Sequence, residues 1–99
     1  MLDRWYHDSA WADAAEGLGY KPGAVVSGRL LYDSDADRYQ VIDQAGDVLH
    51  PGLHCGQCFA VLLPDGWTDS RIEYGADGWY LVGTPFVGRL DNVQVKGVL

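Results

Sequence analysis

The sequence predicts a mainly β protein: a small SH3-like barrel of five to seven strands that carries a short N-terminal α-helix. Apolar and polar residues alternate with a period of two from residue 23 onward, which is typical of strands with one buried face. Turn signals built from Gly, Pro and Asp interrupt this alternation about every 8–12 residues, a spacing found in sandwiches and small barrels. About 75 residues remain for the β part, and a small barrel is the simplest fold at that length.

Residues 1–22 differ from the rest of the chain because their apolar residues repeat at helical spacing. Asp8 or Ser9 can cap a helix, and Pro22 prevents its continuation. The residues at positions i, i+3, i+4 and i+7 are Trp11, Ala14, Ala15 and Leu18. We therefore predict a helix over about residues 9–16. The chain then divides into an N-terminal helical appendage, residues 1–22, and a small β-barrel domain, residues 23–99.

The β part divides at its turn signals into as many as seven strands. Residues 33–37 form a polar turn, and residues 44–47 form a hairpin loop with a glycine available for positive φ. Pro and Gly mark the later turns, and a longer connection precedes the last strand. The predicted strands cover residues 25–32, 39–42, 48–50, 59–63, 67–74, 79–82 and 93–98.

Composition indicates one folded domain with a modest core. The chain has 99 residues, of which 47% are hydrophobic, so it is not of a disordered composition. Each well-buried tryptophan removes about 150–250 Å² from water. The four tryptophans are therefore expected to supply much of the core: Trp5, Trp11, Trp67 and Trp79.

Charge and hydropathy exclude some classes of partner. The formal net charge is −7, and the basic residues are spread singly along the chain, so binding to nucleic acid is disfavoured. No apolar run approaches the length of a membrane span, and the N-terminus lacks the apolar segment of a signal peptide. We expect a cytoplasmic protein with reduced thiols and no membrane partner.

A Cys-x-x-Cys motif is the sharpest chemical feature of the sequence. Cys55 and Cys58 could direct two thiolates at one zinc ion, with His50 and His54 as the other ligands. Four ligands within nine residues would strain the loop, however, and no second ligand pair completes the set. The alternative interpretation is that both cysteines are small, mostly buried residues at the start of a strand. We expect no cofactor, and zinc is the alternative.

The same motif is compatible with a redox dithiol. Thioredoxin-type sites place the first cysteine at the N-terminus of a helix, where the helix dipole lowers the pKa of the thiol. Cys58 instead leads directly into the apolar residues 59–63, which are predicted to form a strand. The sequence therefore lacks the activating helix that redox catalysis requires.

One strand carries a candidate binding surface. Arg71 and Glu73 alternate onto the same face as Trp67, and Trp79 follows on the next strand. A guanidinium beside aromatic rings suits recognition of a carboxylate or a base. The structural alternative, which we favour, is a cross-strand ion pair with aromatic packing at the rim of the barrel.

Several motifs of the β part resemble a known bacterial family. They extend over about residues 27–96 and comprise residues 28–32, Arg38-Tyr39, residues 52–61, Trp67, Arg71-Ile72-Glu73, residues 79–83 and residues 90–95. The resemblance is to a family of small domains of unknown function, common in Firmicutes and often encoded near mobile elements. It implies a domain with no established activity, substrate or cofactor.

The leading hypothesis is a non-enzymatic interaction module that binds a protein or peptide, or a second copy of itself through its helix. Its basis is a small barrel rich in aromatic residues, in a sequence without a catalytic motif. The first alternative is a zinc or redox protein that uses residues 54–58. The second is an acidic mimic of nucleic acid, which requires one acidic face formed by Asp33, Asp35, Asp37, Asp43 and Asp47.

Overall fold

The computed structural model describes residues 23–99. The appendage of residues 1–22 and its predicted helix lie outside the described residues. Seven strands are present in the described part: β1 (Val25–Asp33), β2 (Arg38–Ile42), β3 (Val48–His50), β4 (Cys58–Leu63), β5 (Gly66–Gly75), β6 (Gly78–Leu81) and β7 (Gln94–Val98). Each overlaps a predicted strand, so the prediction of a mainly β fold is confirmed.

The strands form one antiparallel sheet that curls into a half-barrel. Their order is β3-β2-β1-β7-β4-β5-β6, so the last strand of the chain lies between the first and the fourth. Strands β1, β2 and β3 make up one side of the half-barrel, and β4, β5 and β6 make up the other. Residues 23–99 contain no helix long and apolar enough to cross a membrane.

Apolar side chains at alternating positions along the strands point to the inside of the half-barrel and fill it. In β4, Phe59 and Val61 are buried while Leu62 is partly exposed, and the partner strand β7 contributes Val95. Fully buried side chains come from both sides of the sheet and from the loops: Leu30, Val41, Leu53, Val61, Ile72, Leu81, Leu90, Val95 and Leu99. The core is therefore continuous across β7 rather than confined to one hairpin.

A closing loop, residues 51–57, connects the two sides of the half-barrel. The amide of Leu53 donates to the carbonyl oxygen of Tyr39 in β2 at 2.8 Å. Further along, the amide of Gly56 donates to the carbonyl oxygen of Ile72 in β5 at 2.7 Å, and the Ile72 amide donates to the Gln57 carbonyl oxygen at 3.1 Å. Leu53 itself is fully buried, so the loop supplies both backbone bonds and core volume.

The tryptophans contribute unequally to this core. Trp79 is only 7% exposed and belongs to the core cluster, as the sequence predicted. Trp67 is 42% exposed, so the prediction that it supplies core volume is wrong. The reason is strand parity, since Trp67 shares its face of β5 with Asp69 and Arg71, which are also exposed. Trp5 and Trp11 lie outside the described residues.

Gly28 in β1 is closely packed against the end of β2. A Cβ atom at Gly28 would collide with the carbonyl oxygen of Ile42 and would lie 3.0 Å from Cγ1 of Val41. The colliding atom belongs to the backbone, so it cannot move aside as a flexible side chain could. Only glycine therefore fits here without displacement of β2.

We predict that Gly28→Ala lowers the free energy of unfolding by at least about 2 kcal/mol, because the new methyl group must push two strands apart. The matched control is Ser27→Ala, one residue earlier on the exposed face of β1, which should change stability by less than about 0.5 kcal/mol. Urea denaturation followed by tryptophan fluorescence measures both. Equal stability of the two variants would contradict this account of the sheet.

Candidate functional site

A cleft of about 410 Å³ opens at one end of the half-barrel. The β1–β2 turn, the β5–β6 hairpin and the connection between β6 and β7 meet there. We call it the aromatic cleft, and its lining residues are Tyr32, Asp37, Tyr39, Tyr74, Gly78, Trp79, Gly88, Arg89 and Asp91. Four of these nine residues are aromatic, so the cleft differs from the polar turns that surround it.

The four aromatic rings form a continuous row across the cleft. The ring centroids of Tyr32 and Tyr39 are 5.3 Å apart, and those of Tyr39 and Trp79 are 6.5 Å apart. The row ends at Tyr74, whose ring meets the indole of Trp79 edge-on at 5.0 Å. These separations lie within the range of favourable aromatic pairs, so the rings support one another.

Strand register explains why the row forms. Tyr32 in β1 lies directly opposite Tyr39 in β2, and Tyr74 in β5 lies directly opposite Trp79 in β6. Directly opposed residues point to the same face of an antiparallel pair. Curling of the sheet then brings the two cross-strand pairs together through the contact between Tyr39 and Trp79.

Burial differs sharply along the row. Tyr39 is 3% exposed and Trp79 is 7% exposed, so both form the base of the cleft. Tyr74 is 60% exposed and Tyr32 is 38% exposed, so their rings form the two rims. The cleft therefore has a buried aromatic base between two accessible tyrosine rings.

The tyrosine hydroxyl groups of Tyr32 and Tyr39 already have structural partners. The hydroxyl of Tyr32 donates to the Asp37 carboxylate, and this bond, together with the lesser effect of desolvation, raises the pKa of Tyr32 to about 12. The hydroxyl of Tyr39 accepts a hydrogen bond of 3.0 Å from the amide of Leu90. Both hydroxyls therefore hold the rings in place.

The indole N–H of Trp79 is in a different situation. Its Nε1 atom is buried, and within residues 23–99 it has no hydrogen-bond acceptor. A buried donor without a partner typically costs about 1–3 kcal/mol, and such groups are rare in native proteins. The base of the aromatic cleft therefore contains one donor that the described part of the fold does not satisfy.

Charged groups of both signs border the cleft. An oxygen of Asp91 accepts a hydrogen bond of 2.9 Å from the amide of Tyr32, which places two carboxylates, Asp37 and Asp91, at the Tyr32 rim. The guanidinium of Arg38 lies 5.7 Å from the ring centroid of Trp79 and donates to the carbonyl oxygen of Asp37 at 2.9 Å. Arg89 is exposed at the edge.

The structure does not bring together the four binding residues predicted from the sequence. Arg71 and Glu73 form an ion pair of 2.9 Å on the outer face of β5, where their side chains are 52% and 29% exposed. Trp67 lies on the same outer face, and the Nζ atom of Lys96 is 4.2 Å from its ring centroid. Trp79, by contrast, points to the inside, so it alone of the four lines the aromatic cleft.

The cysteine motif lies in and next to the closing loop. Cys55 and Cys58 are free thiols and both are exposed, so the interpretation that they are buried packing residues is wrong. The thiol of Cys58 donates to the carbonyl oxygen of Gly56 at 3.5 Å, and Cys58 begins β4, as predicted. Within residues 23–99 no three His, Cys, Asp or Glu side chains are grouped around one metal position. The zinc and redox hypotheses stay predictions.

The two histidines of the proposed ligand set have different surroundings. His50 is 3% exposed, its Nδ1 atom accepts a hydrogen bond of 3.1 Å from the amide of Gly52, and its Nε2 atom lies 3.4 Å from Nε2 of Gln57. His54 is exposed, and its amide donates to Oε1 of Gln57 at 3.0 Å. His50 and Gln57 therefore help to shape the closing loop.

The five aspartates proposed as a nucleic-acid mimic form two groups. Asp33 is the last residue of β1, and Asp35 and Asp37 lie in the turn that follows it. The amide of Asp35 donates to the Asp33 carboxylate at 3.1 Å. Asp43 and Asp47 lie in the loop after β2, where the Asp43 carboxylate accepts the Asp47 amide at 2.9 Å. The two groups therefore lie at opposite ends of β2, which is about 16 Å long. The nucleic-acid-mimic hypothesis stays a prediction.

Sequence reasoning missed the three tyrosines of the aromatic cleft. Tyr32 and Tyr74 each stand near the end of a strand, on the face that carries core residues further along. An aromatic residue at that position continues the apolar face to the edge of the core, where it is covered only in part. That pattern could have identified Tyr32 and Tyr74 as residues at the edge of the core. It could not have predicted that they border the same cleft, because this depends on how the sheet curls.

Comparison with known proteins places the fold in a family. The family model described as a domain of unknown function (DUF5348) matches residues 28–96. The chain belongs to this family. The match confirms the resemblance to a domain of unknown function, and it includes every residue that lines the aromatic cleft.

One solved structure of this kind is a protein from Ruminococcus gnavus, determined by the Northeast Structural Genomics Consortium. It is 43% identical in sequence and superimposes with a TM-score of 0.61. The match covers 73% of this chain and 100% of the R. gnavus chain. No curated protein matches the sequence.

Burial of His50 predicts a pH dependence of stability. Desolvation, with a smaller effect of His54, lowers the pKa of His50 from 6.5 to about 4. The folded protein therefore holds His50 neutral at a pH where the unfolded chain would protonate it. The stability that this contributes is complete above pH 6.5 and is lost as the pH falls towards 4, in total about 3 kcal/mol.

The test compares the protein with its His50→Asn variant, because Asn keeps an acceptor for the Gly52 amide but does not titrate. The unfolding free energy is measured at pH 7 and at pH 4. Its decrease from pH 7 to pH 4 should be about 3 kcal/mol larger in the unsubstituted protein than in the variant. Carboxylates that titrate in the same range affect both proteins equally. Parallel pH profiles would show that His50 is not buried in its neutral form.

Proposed function

We propose that this protein is a non-enzymatic binding module that holds a short segment of a protein or peptide in the aromatic cleft. The observation that carries the proposal is the arrangement of two exposed tyrosine rings, Tyr32 and Tyr74, around the buried base formed by Tyr39 and Trp79. Tyrosine and tryptophan dominate binding energy in protein interfaces because they offer large, rigid contact areas.

The exposed rims support this proposal energetically. A ring that is 60% exposed, as Tyr74 is, still has much of its apolar surface in water, and a ligand that covers it gains from the hydrophobic effect. The row is already ordered by its own ring contacts, so little side-chain freedom is lost on binding. Preorganised aromatic surface of this kind suits reversible binding.

The size of the cleft supports a short segment as the ligand. A volume of about 410 Å³ lies at the low end of the range for pockets that hold small ligands, and it accommodates a few side chains. The cleft also opens at the end of the half-barrel, where the β1–β2 turn, the β5–β6 hairpin and the β6–β7 connection meet. An SH3-like classification of the barrel, which we also propose, is consistent with this position.

The state of the polar groups supports binding without catalysis. The hydroxyls of Tyr32 and Tyr39 take part in structural hydrogen bonds, and the carboxylates of Asp37 and Asp91 hold Tyr32. A catalytic acid, base or nucleophile needs a group that is free to exchange a proton with a substrate. The cytoplasmic location and the association of two copies remain expectations from the sequence.

We predict that Tyr74→Ala abolishes selection of ligands from random short peptides displayed on phage, and that it weakens any selected peptide at least about tenfold. The matched control is Trp67→Ala, which removes an aromatic ring that is 42% exposed from the outer face of β5. It should change affinity less than about twofold. Titration of the selected peptides by fluorescence anisotropy gives both affinities.

Thermal unfolding of the two variants provides the folding control, because both side chains are largely outside the core. If the Trp67 and Tyr74 variants lost binding equally, the aromatic cleft would not be the binding site. The loss would then come from the outer face or from a general effect on folding. Failure of the unsubstituted protein to select any peptide would overturn the proposed function itself.

A further inference from the structure

A second recess lies on the outer face of the half-barrel. It has a volume of about 770 Å³ and crosses four adjacent strands, β1, β7, β4 and β5. We call it the outer groove, and the outward-facing side chains that line it are Val25, Val98, Lys96, Cys58, Ala60 and Asp69. None of these six residues lines the aromatic cleft, so the two surfaces are separate.

Strand register places exposed apolar side chains next to each other in the outer groove. Val25 lies directly opposite Val98, and the two residues are 77% and 42% exposed. Ala60 lies opposite Lys96 on one side and Asp69 on the other, so a small apolar residue occupies the middle of the groove. Adjacent apolar side chains left in water mark a surface that another segment or molecule covers.

The N-terminal appendage, residues 1–22, joins the domain at one end of this groove. The amide of Gly23 donates to the carbonyl oxygen of Leu99 at 3.4 Å, and the Leu99 amide donates to the carbonyl oxygen of Ala24 at 3.2 Å. These bonds fix the entry of the chain two residues before Val25. A segment tethered beside a surface has a high effective concentration at that surface.

The sequence of the appendage suits an apolar surface of this size. Its apolar residues at helical spacing are Trp11, Ala14, Ala15 and Leu18. Asp13 and Glu16 fall on the opposite face of the predicted helix, so one face is apolar and the other is charged. A helix of eight residues is about 12 Å long, and four neighbouring strands span about 14 Å. Two helical turns are not stable alone in water, so the predicted helix requires a surface to pack on.

The reach of the chain selects the outer groove over the aromatic cleft. Residues 17–22 connect the predicted helix to Gly23 and extend over at most about 20 Å. The aromatic cleft lies towards the other end of β1, where Tyr32 is about 23 Å from Val25. Even when fully extended, the connection ends short of the cleft. The outer groove begins at Val25 itself and needs no such extension.

We propose that the N-terminal appendage forms an amphipathic helix that packs across the outer groove of its own chain. Trp11 and Leu18 cover the exposed valines of the groove. The small side chains of Ala14 and Ala15 let the helix approach the sheet closely. The proposal does not depend on the proposed function, because the groove is separate from the aromatic cleft.

Reactivity of the two cysteine thiols tests this proposal in the full chain. Cys58 lines the outer groove, whereas Cys55 lies in the closing loop and does not line it. Cys55→Ser leaves Cys58 as the single cysteine, and Cys58→Ser leaves Cys55. The rate of reaction with a maleimide dye then measures how often each position is uncovered. The family model begins at residue 28, so substitutions in the appendage lie outside the shared domain.

Trp11→Ser should raise the reaction rate of Cys58 at least about fivefold, because it removes the large ring that holds the helix in the groove. The matched control is Asp13→Ser, which introduces the same residue on the charged face of the helix and should change that rate less than about twofold. Neither variant should change the rate of Cys55 more than about twofold. Unchanged reactivity of Cys58 in Trp11→Ser, or an equal rise at both cysteines, would overturn the proposal.

A second measurement starts from the groove. Val25→Asp places a charge in the groove at a residue that is largely in water, so the domain still folds. It should move the indole signal of Trp11 in a ¹⁵N–¹H correlation spectrum, and the spectrum of Trp11→Ser identifies that signal by its loss. The matched control, Leu31→Asp, changes an exposed residue on the same face of β1 outside the groove and should leave the signal in place. A Trp11 signal that responds to both variants equally, or to neither, would overturn the proposal.

The molecular mass in solution tests whether the helix covers the groove of its own chain. Light scattering during size-exclusion chromatography should show a monomer for the full chain and for Trp11→Ser. A dimer that Trp11→Ser converts to a monomer would place the helix on the groove of a second copy. That result would overturn packing within one chain.

Discussion

The half-barrel depends on the closing loop, because no ladder of backbone bonds joins β2 to β5 or β6 in the sheet order. Residues 51–57 connect β2 to β5 through the bonds of Leu53 to Tyr39 and of Gly56 and Gln57 to Ile72. Leu53 and Ile72 are fully buried, so an unmade backbone bond at either residue would be costly. Closure then forces Tyr39 of β2 against Trp79 of β6, and this contact creates the base of the aromatic cleft.

This dependence gives the cysteine motif a structural context. The Cys-Gly-Gln-Cys turn supplies Gly56 with a φ of 86°, a conformation that glycine adopts without strain, and the Gly56 amide reaches Ile72 from that turn. Gln57 and His50 pack beneath the turn, whereas both thiols face outward. The density of chemically suggestive residues in this stretch therefore coincides with the point where the sheet closes. The proposed binding surface, the aromatic cleft, lies at the end of the half-barrel, on residues with no such chemical signature.

The sequence predicted the strands well and the site poorly, for one physical reason. Alternation is a local property, so β4 was expected at residues 59–63 and is found at Cys58–Leu63. The same alternation grouped Trp67 with Arg71 correctly on one face of β5. It could not tell that this face is the outer one, because that depends on the direction in which the sheet curls. Tyr32 and Tyr74 come together only after closure, so no local pattern could have paired them.

Hydrogen exchange of individual amides tests the closure of the half-barrel most directly. If the closing loop holds the two sides together, the amides of Leu53, Gly56 and Ile72 open only when the whole domain unfolds. They should then exchange as slowly as the amide of Val95, a fully buried residue of β7. Exchange of Leu53 and Gly56 that is orders of magnitude faster than that of Val95 would contradict the account, because the loop would then open without the sheet.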